Sequence, residues 1–308
     1  MMHTNSIKRL PGLCTIAVLL AATGIWQAPA AAAQIDCLAS KDNTLFQWFE
    51  GYGDPPNSNG SGNFVGAGRT GPTVDTGIIQ RGLLQFDLSE IPADATITSV
   101  TLKLSVVDVP KRDKEKTRPF WVAPIEGIPQ PGWGEGASVA DVFAGGEGQG
   151  VDAQPGDATW IHTFYDTDLW PVIGYFGENA LTYPTEAPLG WVPADIAPTK
   201  DAPYRVSWSN DQLAADVQAW VDGTATDFGW ILYGQEDFSG EEINPNQRPS
   251  SKRGFASREF RPWDPINLEW IEDDLSYCPT ITVVYVPEPA SVVLLVIGGM
   301  LLWCRRKR

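Results

Sequence analysis

The residues that could carry out chemistry in this chain include a single histidine outside the N-terminal segment. Beyond residue 33, His162 is the only histidine, so any Ser-His-Asp or Cys-His mechanism would have to use it. It lies in the alternating apolar stretch Trp160-Ile161-His162-Thr163-Phe164, which favours a structural histidine. Residues 34–286 contain no nucleophile elbow, P-loop, CxxC or HExxH motif. We therefore assign no catalytic residue.

Carboxylates offer a second route to catalysis, because a glycosidase needs only two acids about 5–10 Å apart. Glu135, Asp157, Glu236 and Asp237 fall in predicted loops that could meet. In a chain with 38 acidic residues, however, such pairs also arise by chance. A carbohydrate-active enzyme that uses a pair of carboxylates is therefore the alternative to a non-catalytic protein.

Tryptophan is the more informative residue type. An indole offers a flat apolar face on which a sugar ring can stack, while neighbouring acids and amides bond its hydroxyl groups. Trp133, Trp170, Trp191 and Trp263 fall in predicted loops and are the candidate glycan contacts. Most other tryptophans lie in strand or helix patterns that are typical of core residues.

Calcium is the metal that this acidic chain favours, because carboxylates and carbonyl groups are hard oxygen ligands. Asp36, Asp42 and Asp75, near the first predicted strands, are the candidate ligands of a structural calcium ion. Their spacing is not that of an EF-hand, and a solvated acidic surface is the alternative. We expect that the protein requires no cofactor.

Alternating apolar residues predict the strands that would position these side chains. Residues 84–88 and 100–106 alternate with the period of a half-buried strand. Further strands are predicted at Thr44–Phe49, Phe120–Pro124, Tyr204–Trp208, Phe228–Tyr233, Gly254–Ser257 and Thr280–Val286.

One helix is predicted after a cap at Ser209 or Asn210, and Gly223 ends it. Its apolar stripe consists of Leu213, Val217, Trp220 and Val221. The stretches 127–157 and 185–203 are rich in Gly and Pro and are predicted to be long loops. Short strands, long loops and one short helix favour an all-β, jelly-roll-like β-sandwich.

The first 33 residues have the composition of a secretory signal peptide. Lys8 and Arg9 precede an apolar run, and Ala31 and Ala33 occupy the positions that cleavage before Gln34 requires. An N-terminal membrane anchor is the alternative.

The C-terminal segment, 287–308, has three parts. Pro287-Glu288-Pro289 precedes an apolar run over 290–303, and the chain ends in Cys304-Arg305-Arg306-Lys307-Arg308. This arrangement resembles the PEP-CTERM sorting signal of Gram-negative bacteria. The resemblance implies that an exosortase-type membrane enzyme recognises Pro287, Glu288 and Pro289 after transient membrane insertion of the C-terminal helix. Release to the cell surface or extracellular matrix would follow, and a plain membrane anchor is the alternative.

Residues 34–286 form the predicted exported domain. They retain 16 of the 22 basic and 37 of the 38 acidic residues, a net charge of −21. Such a charge argues against binding to nucleic acids or other anionic polymers. Cys37 and Cys278 are the only cysteines of this domain, and in an oxidising compartment we expect a disulfide between them.

Several segments of this domain carry a second resemblance, in order along the chain. They are Asp42-Asn43-Thr44-Leu45-Phe46-Gln47, 81–88, 91–102, Trp133-Gly134-Glu135-Gly136, 156–160, 216–220, 228–230 and Phe255-Ala256-Ser257-Arg258-Glu259. Together they resemble the DNRLRE-type domain, which is related to carbohydrate-binding module family 96. Thr44, Phe46 and Gln47 stand where the name-giving motif has Arg, Arg and Glu. The resemblance implies a jelly-roll fold, but fold alone supplies no ligand.

These observations predict an exported, exosortase-sorted, non-catalytic protein of the cell surface or extracellular matrix. Its expected partner, besides the processing enzyme, is an extracellular polysaccharide contacted by loop tryptophans.

Overall fold

The computed structural model of the chain describes residues 31–47, 56–71, 77–110, 117–139, 150–170, 190–192, 204–236, 250–264, 266–267, 269–271 and 273–287. These residues belong to one compact unit, Ala31–Glu288. Most of the predicted signal peptide and the predicted sorting helix lie outside the described residues. Within them, no helix is long and apolar enough to cross a membrane.

The described residues form antiparallel strands and one helix. Ten strands build the main sheet: β1 (Ala33–Phe46), β3 (Phe64–Arg69), β4 (Ile79–Phe86), β5 (Thr96–Asp108), β6 (Arg118–Pro124), β10 (Gly190–Val192), β11 (Tyr204–Ser209), β12 (Trp230–Gly234), β13 (Arg253–Ala256) and β16 (Thr280–Val286). Three small hairpin-like pairs are β2 (Asn57–Ser58) with β7 (Val151–Asp152), β8 (His162–Phe164) with β9 (Asp168–Leu169), and β14 (Trp263–Asp264) with β15 (Glu269–Trp270). The helix is α1 (Asp211–Val221).

The main sheet closes on itself because β1 pairs with two different strands. Its first half, from Ala33 to Leu38, pairs with β16, and its second half, from Ala39 to Phe46, pairs with β4. The change of partner coincides with an irregularity between Ala39 and Lys41. The circuit runs β1–β16–β5–β13–β3–β4 and returns to β1, so the sheet is barrel-like. Strands β12, β6 and β10 extend it from β4, and β11 pairs with β5.

Two strands, β4 and β12, are buried on both faces and separate two apolar cores. Leu84, Trp230 and Leu232 pack into the larger core, whereas their neighbours Leu83 and Ile231 pack into the smaller one. This division follows from the period of two along a strand, which sends successive side chains to opposite faces. Residues 125–133 and 158–170 cover the outer face and supply much of the smaller core.

The helix covers the larger core and confirms the predicted cap and stripe. The Asn210 side chain accepts a hydrogen bond from the Leu213 backbone N–H, a cap that contributes about 1 kcal/mol. Leu213, Val217 and Trp220 are buried in the larger core. The Trp220 ring lies 4.7 Å from that of Trp230.

The prediction of an all-β architecture with one short helix is confirmed. The sequence patterns missed residues 33–43 of β1 and the whole of β3. Strand β3 contains Gly66 and Gly68 among its six residues, and glycine is depleted in strands, so its composition gives little strand signal.

Candidate functional site

Three segments that are distant in sequence meet around the buried residues Asp42 and Asn43 of β1. The first is the loop after β6, which carries Glu135. The second is the turn after β13, which carries Arg258 and Glu259. The third is the stretch around Ala158. All six of these residues belong to segments on which the predicted resemblance to the DNRLRE-type domain rests.

The Asn43 side chain connects these segments through its amide group. Its Nδ2 donates to the carbonyl oxygens of Glu135 at 3.0 Å and of Ala158 at 3.2 Å. Its Oδ1 accepts from the Ser58 hydroxyl at 3.1 Å and from the Asn59 backbone N–H at 3.2 Å. Because Asn43 is fully buried, each of these bonds replaces one to water, and loss of the amide would leave several buried groups unpaired.

The loop that carries Glu135 is fixed by Asp157 and by glycine. Asp157 accepts hydrogen bonds from the backbone N–H groups of Ala137 at 2.7 Å and Gln154 at 2.8 Å. Gly136 has φ +80°, and a Cβ there would lie 1.5 Å from the Asp157 Oδ1. No other residue fits this position, so the loop backbone is locked against Asp157.

The side chains of Asp42, Glu135 and Glu259 form a group that we call the acidic cluster. One carboxylate oxygen from each lies within 4.8 Å of one from each of the others. The Arg258 side chain pairs with two of them, with Nε 2.6 Å from Glu135 Oε1 and 2.8 Å from Glu259 Oε1. Its NH2 donates to Glu135 Oε2 at 3.0 Å. One arginine therefore faces three carboxylates.

Asp42 is the most deeply buried of the three acids. Its Oδ2 accepts from the Arg258 backbone N–H at 2.8 Å, and its own N–H donates to Glu135 Oε1 at 2.9 Å. Burial, followed by the charge of Glu259, raises the pKa of Asp42 well above its ordinary value. Burial also raises the pKa of Glu259, against the opposing effect of Arg258.

Two oxygens of the acidic cluster have no hydrogen-bond partner among the described residues. They are Asp42 Oδ1 and Glu259 Oε2, and both are buried from solvent. A buried, unpaired carboxylate oxygen is costly, so the cluster can either hold a proton between acids or bind a cation.

The structure separates two of the three aspartates predicted as calcium ligands, Asp36 and Asp42. Asp42 joins Glu135 and Glu259, which the sequence analysis did not connect with it. Asp36 is largely exposed at the other half of β1, where it contacts Thr282 and Lys103. Asp75 lies outside the described residues. The predicted grouping of Asp36 with Asp42 is therefore wrong, because only Asp42 points into the cluster.

Two of the four tryptophans predicted as glycan contacts are core residues, so that prediction is wrong for them. Trp133 is 1% exposed, and its Nε1 donates to the Phe228 carbonyl at 2.8 Å. Trp170 is 5% exposed, and its Nε1 donates to the Thr159 carbonyl at 2.9 Å. Their loops fold inward over the smaller core, so their ring faces are not available to a sugar.

The backbones of the other two candidates are in strands, but their side chains lie outside the described set. Trp191 belongs to β10, and Trp263 pairs with Trp270 across the β14–β15 hairpin. Trp270 was not among the candidates, yet it is 37% exposed. Ile266, Ile271 and Leu275 nearby are exposed as well. Their short spacing in the chain was the available signal, but the hairpin that exposes them was not predicted.

Three of the four acids whose loops could have met have separate partners. Glu135 joins the acidic cluster, Asp157 caps backbone N–H groups, and Glu236 forms a bidentate pair with Arg81. Asp237 lies outside the described residues. The Nδ1 of His162 lies 2.9 Å from the Thr159 hydroxyl, and burial lowers the pKa of this histidine.

The structure does not contain the expected disulfide between Cys37 and Cys278. Both are free, buried thiols. Cys37 lies opposite Ile281 in the β1–β16 ladder, three residues past Cys278. Cys278 lies before β16 begins, so the two cysteines are not partners in this ladder. Cys278 instead donates through Sγ to the Arg258 carbonyl at 3.4 Å.

The predicted sorting motif begins where the described residues end. Pro287 directly follows β16, whereas Glu288 and Pro289 lie outside the described residues.

No protein-family model matches this chain, and no curated protein is a significant match to it.

Proposed function

We propose that this protein is an exported, non-catalytic component of the cell surface or extracellular matrix. Its domain would be a DNRLRE-type β-sandwich of the jelly-roll class. The convergence of Asn43, Glu135, Ala158 and Arg258 supports this proposal, because these residues come from segments that carry the family resemblance. They build an interior network that ties loops to strands, as a structural domain requires.

The observation that carries the non-catalytic assignment is the closure of the acidic cluster. It is the only group of three or more metal-ligand-type side chains found close together in the described part of the chain. Asp42 has no exposed surface, and Arg258 binds Glu135 through two of its nitrogens. A substrate would have to displace this arginine before it reached the acids.

Sorting through the Pro287-Glu288-Pro289 tail is the second part of the proposal. Pro287 lies immediately beyond the last strand, so cleavage near this motif would leave the closed sheet complete. The test is mass spectrometry of the full chain expressed in a Gram-negative host with and without an exosortase. We expect loss of residues 290–308 only with the enzyme, and no loss in a Glu288→Ala variant. Intact tail in both hosts would contradict the proposal.

Contact with a neutral polysaccharide is the third part, and Trp270 is its best-supported residue. This residue is 37% exposed, and Ile266, Ile271 and Leu275, which are close to it in the sequence, are exposed as well. These apolar groups are available for contact with a sugar ring. The net charge of −21 would disfavour anionic polymers. In affinity electrophoresis, neutral glycans should retard the wild type and Trp270→Phe more than Trp270→Ala. Equal retardation of all three would remove Trp270 from the proposal.

A carbohydrate-active enzyme is the second candidate, and one observation favours it. Asp42 has a raised pKa and lies beside Glu135, and oxygens of the two acids are within 4.8 Å. Two close acids in different environments are the kind of pair that a retaining glycosidase uses. Release of reducing ends by the wild type, abolished in Glu135→Gln, would establish this function. Absence of products from a panel of neutral and acidic polysaccharides would support the non-catalytic assignment.

A further inference from the structure

The acidic cluster carries more negative charge than its surroundings balance. When ionised, the three carboxylates bring three negative charges, and Arg258 brings one positive charge. The Lys41 Nζ, on the same strand as Asp42, donates to the Trp133 carbonyl at 2.7 Å and lies over the Trp133 ring, and its charge also interacts with that of Glu135. Even with Lys41 counted beside Arg258, the three ionised carboxylates keep an excess negative charge that a bound cation would offset.

An independent observation points to a ligand at this place. Asp42 is fully buried, and its Oδ1 has no hydrogen-bond partner although the Oδ2 of the same carboxylate has one. Glu259 repeats this pattern, with Oε1 bound to Arg258 and a buried, unpartnered Oε2. Asp42 and Glu259 thus each keep one oxygen in a fixed internal bond and leave the other available, whereas both oxygens of Glu135 bind Arg258. Buried polar atoms are rarely left unpaired without a functional reason.

The donor set and its burial indicate the kind of cation. One oxygen from each of the three carboxylates lies within 4.8 Å of the others, close enough for all three to contact one ion. Calcium accepts carboxylate oxygens at about 2.3–2.6 Å in flexible geometry. Magnesium demands strict octahedral geometry and usually keeps several of its waters, which suits a site built around the fully buried Asp42 less well. The cluster contains no histidine or cysteine ligand of the kind that zinc prefers.

The three acids are held by bonds that do not depend on an ion. The Asp42 carboxylate is fixed by the Arg258 N–H, the backbone of Glu135 by Asn43, and the Glu259 N–H by the Ser257 hydroxyl at 3.1 Å. Preorganised ligands lose little conformational entropy on binding. An ion here would connect β1, the Glu135 loop and the turn after β13.

We propose that Asp42, Glu135 and Glu259 bind one calcium ion that stabilises the junction of these three segments. Arg258 balances part of the remaining negative charge and orients the two glutamates. The site is structural, and it goes beyond the proposed surface function because it requires neither export nor a glycan.

The test uses the purified full-length chain after treatment with a chelator. Calcium chloride is titrated by calorimetry, and the thermal midpoint is measured with and without calcium. We expect one ion per chain and a rise in the midpoint. Asp42→Asn and Glu259→Gln should weaken binding by about tenfold or more, since even indirect supports of a metal site cost that much.

The matched control is Asp36→Asn, which removes the same charge from the same strand at a more exposed position. It should retain the affinity and the midpoint shift. Terbium luminescence gives a second measurement, because Trp133 lies two residues before Glu135 and can sensitise a bound lanthanide. Calcium should displace the terbium signal in the wild type and in Asp36→Asn.

If Asp42→Asn does not fold, Glu259→Gln alone decides, because Glu259 lies in a turn and is not fully buried. No binding heat and no midpoint shift in the wild type would overturn the proposal. Equal calcium responses in Glu259→Gln and the wild type would also overturn it. A magnesium response equal to that of calcium would overturn the assignment to calcium. None of these outcomes depends on export, sorting or glycan binding.

Discussion

Two buried charged groups of this domain differ in how fully their polar atoms are paired. In the first, Arg81 donates from Nε to Glu236 Oε1 and from NH2 to Oε2, both at 2.8 Å. The guanidinium group lies 4.7 Å from the Trp160 ring and 5.0 Å from the Tyr233 ring. One positive charge meets one negative charge, and both carboxylate oxygens are occupied.

The acidic cluster has the opposite arrangement. Its single arginine is shared by Glu135 and Glu259, and Asp42 Oδ1 and Glu259 Oε2 remain without partners in the described part of the chain. Both groups hold segments together, but only the Arg81–Glu236 pair is complete in charge and hydrogen bonding. The comparison indicates that a buried ion pair with all its oxygens bonded has only a structural role. A group with excess negative charge and unpaired oxygens can also bind a cation.

The largest expected effect comes from breaking the complete pair. Arg81→Met should lower the free energy of unfolding by about 3–5 kcal/mol, because it leaves Glu236 buried without its partner. The double variant Arg81→Met, Glu236→Leu should recover most of that loss. Urea denaturation of the purified chain measures both values. Lys103→Met, which removes a partly exposed pair with Asp36, should change stability by about 0.5 kcal/mol or less.

A loss below about 1 kcal/mol in Arg81→Met would show that Glu236 finds water or another donor after the change. The Arg81–Glu236 pair would then differ from the acidic cluster in its charge balance, but not in the cost of leaving a buried group unpaired.

The second prediction concerns Trp133, which lies two residues before Glu135 of the acidic cluster. Trp133→Ala should cost about 3 kcal/mol, because it opens a cavity in the smaller core and leaves the Phe228 carbonyl without its indole donor. Trp270→Ala, at an exposed hairpin, should cost about 1 kcal/mol or less. Thermal denaturation compares the two. Equal, small losses would mean that Trp133 is more accessible than its contacts imply.

The sequence predicted the elements of this fold better than the contacts between them. Alternation located most of β5 and β16, and the Asn210 cap and apolar stripe located α1, because these signals depend on neighbouring residues. Loop conformation is set by distant partners. The inward turn of Trp133 depends on Phe228 and Lys41, which lie about ninety residues away on either side.

The candidate site shows the same limit. Asp42 was predicted as a metal ligand, but its companions Glu135 and Glu259 come from positions more than ninety residues further along the chain. No spacing rule connects acids that meet only because β1, a loop and a turn converge. The predicted Cys37–Cys278 disulfide is absent for a related reason. The sequence suggested that the first and last strands are neighbours, but it did not reveal that Cys37 lies opposite Ile281, three residues past Cys278.

The third prediction uses Asp227, a partly buried acid that has a hydrogen-bond partner, as the Arg81–Glu236 pair does, but also a raised pKa, as Asp42 in the acidic cluster does. Its Oδ1 accepts from the Gly229 N–H at 2.9 Å, and burial raises its pKa to about 6. The folded state then binds this proton more tightly than the unfolded state, whose carboxyl has an ordinary pKa near 4. Stability should therefore fall as the pH rises from about 4 to about 6, and should be independent of this group above that range.

Asp227→Asn should remove that part of the pH dependence. We expect about 1–2 kcal/mol, less than the full conversion of about 1.4 kcal/mol per pKa unit, because solvent screens a partly exposed carboxyl. Urea denaturation at a series of pH values between 4 and 7 measures it. An identical slope in the wild type and the variant would show that the Gly229 N–H keeps Asp227 ionised despite its burial.

The smallest expected effect tests the edge of the acidic cluster, where Cys278 donates to the Arg258 carbonyl. A reductant should leave the denaturation midpoint unchanged, because Cys37 and Cys278 are free thiols, whereas a disulfide closing so long a loop would contribute on the order of 5 kcal/mol. Without reductant, alkylation of the denatured chain should modify both cysteines. In the native protein Cys37 should react slowly, because burial raises its pKa to about 11 and the thiolate is the reactive form. Recovery of a Cys37–Cys278 linked peptide would mean that the β1–β16 register shifts in the oxidised protein, and that Arg258 loses its thiol contact.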